Sequence, residues 1–138
     1  MERQRAQRIR DNEQRQNVRR KRLRAAGLEL ARWILEDARR WDKKHGFVCN
    51  LSRKEITELV TQPCTYCTET TIRMTLDRKD NTQGHVRDNV VPACIRCNYV
   101  RRNMPYEAWL LVAVGMRSAV EAKLFGAWTG RARTSQPT

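Results

Sequence analysis

The chain has 138 residues, enough for one domain with a modest core and too few for two independent ones. It carries 28 Lys and Arg against 15 Asp and Glu, a formal charge of +13, with 40% hydrophobic residues; this fits a globular domain with a polar extension and a polyanionic partner such as nucleic acid. The longest apolar run, Ala108 to Met116, covers only about half a bilayer, and the first residues lack the apolar stretch of a secretory signal, so no membrane association and an intracellular location (cytoplasmic or nucleoid-associated) are expected.

The charge is concentrated at the start. Residues 1–24 hold Arg3, Arg5, Arg8, Arg10, Arg15, Arg19, Arg20, Lys21, Arg22 and Arg24 against only Glu2, Asp11 and Glu13. Guanidinium groups suit bidentate phosphate contact, and each such contact releases counterions. The segment therefore reads as a basic arm, able to become helical on a surface that neutralises it; the plainer reading is a solvated charge run that aids solubility.

From residue 25 to 46 the pattern predicts an amphipathic helix. Leu23, Ala26, Leu30, Trp33, Ile34, Ala38 and Trp41 recur at spacings of three and four, which places Trp33 and Trp41 in the core. Lys43, Lys44, His45 and Gly46 form a stop, with His45 as a cap. Phe47–Leu51 is a short extended link in which Cys49 reads as a small buried hydrophobe. Ser52 and Glu55 make a capping box for a short helix that buries Ile56, Leu59 and Val60 and ends at Pro63.

Ile72–Leu76 alternates and is rich in β-formers, so it reads as a strand; Asp80–Gly84 is turn chemistry, and Val90–Val91 before Pro92 is a second strand. A helix from Cys94 to Asn103 leaves this hairpin. A further helix begins near Pro105, with Trp109, Leu110, Ala113, Met116, Val120 and Leu124 facing the core. Gly126 and the last residues form a frayed end.

Five cysteines in such a chain favour metal binding over disulfides. Cys64-Thr-Tyr-Cys67 and Cys94-Ile-Arg-Cys97 are two C-x-x-C pairs, and each two-residue gap lets one turn present two thiolates to one ion. Four thiolates close a tetrahedron, so this spacing predicts a structural zinc that staples the hairpin and its flanking helices. The loop between the pairs is unusually polar. Asp77 at the end of the first strand and Asn98 on the helix can reach one side, where oxygen ligands suit magnesium or manganese.

These residues carry a resemblance. Pro63-Cys64, Cys67, Leu76-Asp77-Arg78, Asp80-Asn81, Gly84-His85, Asn89, Pro92, Cys94 and Cys97-Asn98 resemble the phage and mobile-element type of HNH endonuclease, over residues 47–125. The resemblance implies an α+β fold, a small ββα-metal hairpin–helix unit stapled by the four-cysteine zinc site and flanked by helices. Together with the charge run and the apolar periodicity, it divides the chain into a basic arm (1–24), an amphipathic helix (25–46), a zinc-stapled nuclease domain (47–125) and a flexible tail (126–138). It further implies metal-dependent cleavage of DNA, with Asp77 and Asn98 holding the catalytic divalent ion and Asn89 bracing the loop. Arg78 stands where the family places its first His. A guanidinium stays protonated and is a poor base, so Arg78 is expected to clamp the scissile phosphate. That leaves His85 as base, an imidazole suited to the task, or as a phosphate contact or turn residue. Arg96, Arg101 and Arg102, beside the second cysteine pair, are expected to add phosphate grip.

Two functional classes remain open on the sequence: a nuclease acting on DNA, nicking or cutting, or a zinc-stapled module without catalysis that binds RNA, as a ribonucleoprotein subunit would. A zinc-ribbon transcriptional regulator would not require Asp77, Asn89 and Asn98 together.

Overall fold

The computed structural model describes residues 2–130. Helix α1 runs without a break from Glu2 to His45, so the arm and the amphipathic helix are one element of 44 residues. Glu2 to Val18 are exposed throughout, and among the described side chains the helix is buried only in its C-terminal part. The side chains of residues 19, 20 and 23–26, which include Arg19, Arg20, Arg24, Leu23 and Ala26, lie outside the described ones, as do residues 131–138 of the expected tail. The buried face of α1 is Ala31, Ile34, Leu35 and Ala38, continued by Asp42. Trp33, expected in the core, is half exposed: it lies about 200° around the helix from Ala31, and the Arg73 guanidinium stacks on its ring at 4.5 Å. His45 closes the helix as expected, its Nδ1 lying 2.8 Å from the Trp41 carbonyl.

Helix α2, Arg53–Val60, starts at the predicted capping box. Ser52 Oγ accepts the Glu55 N–H while Glu55 accepts the Ser52 N–H. Its Ile56 and Leu59 pack on α1 together with Leu51, and with Leu76 and Val90 from the hairpin; Cys49 is only partly buried at the edge of this cluster.

The hairpin pairs β1, Met74–Arg78, with β2, Val90–Cys94, antiparallel, Met74 opposite Cys94 and Arg78 opposite Val90. Both strands run further toward Arg78 and Cys94 than the sequence pattern suggests. Cys94 closes β2, and its pairing with Met74 sets where β1 begins. Pro92 sits within β2 because a two-stranded sheet leaves one side of each strand free of the ladder, and its carbonyl accepts the Thr65 N–H at 2.9 Å. A 3₁₀ turn, Arg87–Asn89, leads into β2, and α3, Ile95–Arg101, leaves it.

Helix α4, Tyr106–Glu121, packs Trp109, Ala113 and Met116 against the cysteine cluster and Tyr66. Leu110 and Leu124 are exposed, contrary to the expected stripe; Leu110 lies 100° from Trp109, off the narrow face that α4 buries. Residues 125–130 fold back instead of fraying: Phe125 stacks on Trp128, and Arg96 Nε donates to the Trp128 carbonyl at 2.8 Å. Among the described residues no helix is long and apolar enough to cross a membrane.

One buried ion pair ties α3 to the hairpin. Arg101, 1% exposed, donates from Nη1 to Asp77 Oδ2 at 2.6 Å and also reaches the Arg78, Lys79 and Met104 carbonyls. Asp77 also accepts the Tyr66 hydroxyl at 2.5 Å; burial and the Asp77 charge push the Tyr66 pKa up, so the phenol keeps its proton and donates. Arg101→Met would strand a buried carboxylate and is expected to destabilise the protein by about 3–5 kcal/mol in a urea titration. The double variant Arg101→Met with Asp77→Asn should recover part of that loss.

Candidate metal centre and adjoining cleft

The four cysteines of the two C-x-x-C pairs are buried, unpaired by disulfides, and their sulfur atoms lie within 4.8 Å of one another. Cys67 and Cys94 Sγ are 3.6 Å apart, close to the roughly 3.8 Å edge of a tetrahedron with 2.3 Å metal–sulfur bonds. Local backbone chemistry aims them. Thr68 takes a left-handed conformation just after Cys67, its N–H bonds the Cys64 carbonyl, and the Cys97 N–H points at Cys94 Sγ. Hydrogen bonds from Cys67, Cys94 and Cys97 lower the Cys64 pKa, whereas those with Cys64, Cys67 and Cys94, together with burial, raise that of Cys97. A divalent cation bound there would offset the charge of the thiolates.

Apart from that cluster, a cleft of about 210 Å³ opens between α1 and the hairpin–helix unit, lined by Trp33, Asp37, Arg73, Thr75, His85 and Asn98 among others.

 Its key side chains are fixed from three directions. Asp42, 1% exposed on the buried face of α1, accepts the His85 backbone N–H on Oδ2 at 3.0 Å and faces His85 Nδ1 from Oδ1 at 2.9 Å. A carboxylate facing Nδ1 places the ring proton there, which leaves Nε2 as the basic nitrogen. Gly84 lets the chain approach this closely. A Cβ there would collide with the Val48 carbonyl and come within 2.8 Å of Phe47 Cβ and 3.0 Å of Asp42 Oδ1.

Asn98 enters the cleft from α3. The Thr75 hydroxyl donates its one hydrogen to the Ala93 carbonyl at 2.8 Å, so Asn98 must offer it an N–H, and Nδ2 lies 2.9 Å away. The Asn98 Oδ1 is left without a hydrogen-bond partner among the described residues, and so is His85 Nε2. Asn89, 4% exposed, ties the loop together: Nδ2 donates to the Asp80 and Gly84 carbonyls, and Oδ1 accepts the Asp80 N–H.

The other expected site residues are placed elsewhere. Asp77 is tied to Tyr66 and Arg101 and shares no hydrogen bond with Asn98. Arg78 points the other way from Asp77 on β1, its guanidinium 4.0 Å above the ring of Trp41, which meets the His85 ring edge-on at 5.9 Å, and it donates to the Asn81 and Gln83 carbonyls, where burial lowers its pKa. Neither is among the residues lining the cleft. Arg96 and Arg101, expected to grip phosphate, are each 1% exposed and held inside the protein, Arg96 by Glu69, the Trp128 carbonyl and the Phe125 ring. Arg102 is exposed, with its guanidinium over Tyr99. Asp42, Asp37 and Arg73 were not singled out by the sequence pattern; the signal for Asp42 was an acid in step with Ala31, Leu35 and Ala38 on the face that α1 buries.

No family model matches the chain, and no curated protein matches it. A solved structure of PacI, a rare-cutting HNH restriction endonuclease described for its mechanism of DNA perturbation, is similar with a TM-score of 0.57 at 14% sequence identity, over 67% of this chain and 80% of that one. The likeness is one of fold, that of an α+β unit; in this chain four buried cysteines are positioned for a metal.

Proposed function

We propose that the protein is a metal-dependent DNA endonuclease of the HNH type, with zinc held by Cys64, Cys67, Cys94 and Cys97 as a structural staple. The observation that carries this reading is the Asp42–His85 pair, which leaves Nε2 open in a cleft shared with Asn98. His85 Nε2 takes a proton from water as that water's oxygen bonds to phosphorus, and the bond from phosphorus to the 3′ oxygen breaks. Asn98 Oδ1, with the Asp37 carboxylate on the facing wall, supplies oxygen ligands for magnesium or manganese. Such an ion polarises the phosphodiester and stabilises the leaving oxygen when bound. Asp77, the carboxylate nominated by the resemblance, is assigned to holding Arg101, and Arg78 to shaping the loop that presents His85.

The test is nicking of supercoiled plasmid with added magnesium or manganese. Nicking that requires the added ion and is lost in His85→Ala and Asn98→Ala is expected. No nicking with either ion, together with tight, salt-sensitive binding to RNA, would replace this reading by that of a non-catalytic RNA-binding module. Asp37→Asn should raise the ion concentration needed for half-maximal nicking, whereas Asp77→Asn should act mainly on stability.

A further inference from the structure

The arm and the cleft share one helix, so their relative orientation is fixed by helical geometry. Arg15 and Trp33 are 18 residues apart, five whole turns at 3.6 residues per turn, and so lie on the same face. Arg8 and Arg22 fall within about 20° of that line, and Asp37 within about 40°. Trp33 and Asp37 line the cleft that contains His85 and Asn98. Arg8, Arg15 and Arg22 are exposed and make no ion pair or hydrogen bond among the described residues. Glu2 and Glu13 lie on the far side, together with Arg10, Arg20 and Arg24, and Asp11, at the edge of the row, is engaged by Gln7 Nε2 at 2.9 Å. Glu29 flanks the gap between Arg22 and Trp33.

We infer that α1 is a rigid rail for duplex DNA, in which Arg8, Arg15 and Arg22 track backbone phosphates on the side that leads into the cleft. This rests on the nucleic-acid reading above and adds to it a helical phase between grip and cleft. The three arginines stand about 10 Å apart, and Arg8 lies about 38 Å from Trp33 along the axis, near the length of one duplex turn of about 34 Å. A tether without structure would hold phosphate from any direction; a continuous helix does so from one.

The phase can be tested by comparing two triple variants of the full chain. Arg8→Gln/Arg15→Gln/Arg22→Gln removes the row, whereas Arg10→Gln/Arg20→Gln/Arg24→Gln removes three cations that helical geometry places about 140–180° from it. Binding to a 30-base-pair duplex is read by fluorescence anisotropy across a salt series without magnesium or manganese, so that no cleavage enters. The first variant should lose about 2.7 units of slope in log K against log salt, the value for three phosphate contacts, and the second less than about one unit. Equal losses in the two variants would overturn the inference, as would tighter binding to RNA of the same length. A protein that shows this asymmetry yet never nicks would refute only the catalytic reading, and one that nicks with equal losses only the rail.

Discussion

Removing the metal, or replacing Cys67 by Ser, is expected to abolish cooperative unfolding of the hairpin, α3 and α4. The reason lies in how little else joins these parts. A two-stranded sheet is marginal in water, and α3 is two turns long. Cys64 and Cys67 come from the loop after α2, Cys94 closes β2 and Cys97 lies on α3, so one ion joins segments separated by 26 residues of chain. The apolar residues around the site, Tyr66, Met74, Ala93, Trp109, Ala113 and Met116, pack on the sulfur atoms themselves. A structural zinc contributes on the order of 10–16 kcal/mol in small metal-folded units, as much as the whole stability of an ordinary domain. Without it four buried sulfurs face each other with no shared cation. Circular dichroism and tryptophan fluorescence melts before and after chelation measure the effect, and a chromogenic chelator counts the released ion, one zinc per chain being expected. A sharp melt that survives complete removal of the metal would show that the cysteine cluster is an ordinary packed core.

What the sequence disclosed depends on the range of the interaction. The cysteine pairs, the Ser52–Glu55 capping box and the turn at Asp80–Gly84 are local, and each takes the form its spacing predicts. Asn89 was legible as a loop brace because its partners lie within ten residues of it. The errors came from faces and long-range pairs. Trp33 and Ala31 differ by two positions, but on a helix that exchanges core for cleft wall. Arg96 and Arg101 stand in a basic run that reads as a phosphate patch, yet tertiary partners far along the chain, Glu69 and Asp77, draw both inside. Asp42 meets His85 across 43 residues, beyond the reach of any local pattern.

That Asp42–His85 pair carries the second large expectation: His85→Ala and Asp42→Asn should each lower nicking by about 10²- to 10⁴-fold, with duplex binding changed by less than about twofold. The two losses differ in origin. His85→Ala deletes the base, and added imidazole should restore part of the rate because the small cavity left behind opens onto the cleft. In Asp42→Asn the ring remains, but an amide can donate its N–H to Nδ1, which moves the ring proton to Nε2 and leaves no lone pair facing the water. The effect parallels the tautomer reversal seen when the buried aspartate of a serine-protease triad becomes asparagine, and added imidazole should not rescue it. Asp42 also accepts the His85 backbone N–H, so its replacement by Ala would loosen the loop at Gly84 as well, which makes Asn the sharper probe. Single-turnover nicking rates, measured beside duplex affinity and melting temperature, separate these cases. A rate in His85→Ala above about one third of the natural chain's would remove His85 from the chemistry and leave Asp42 as a purely structural anchor of the loop.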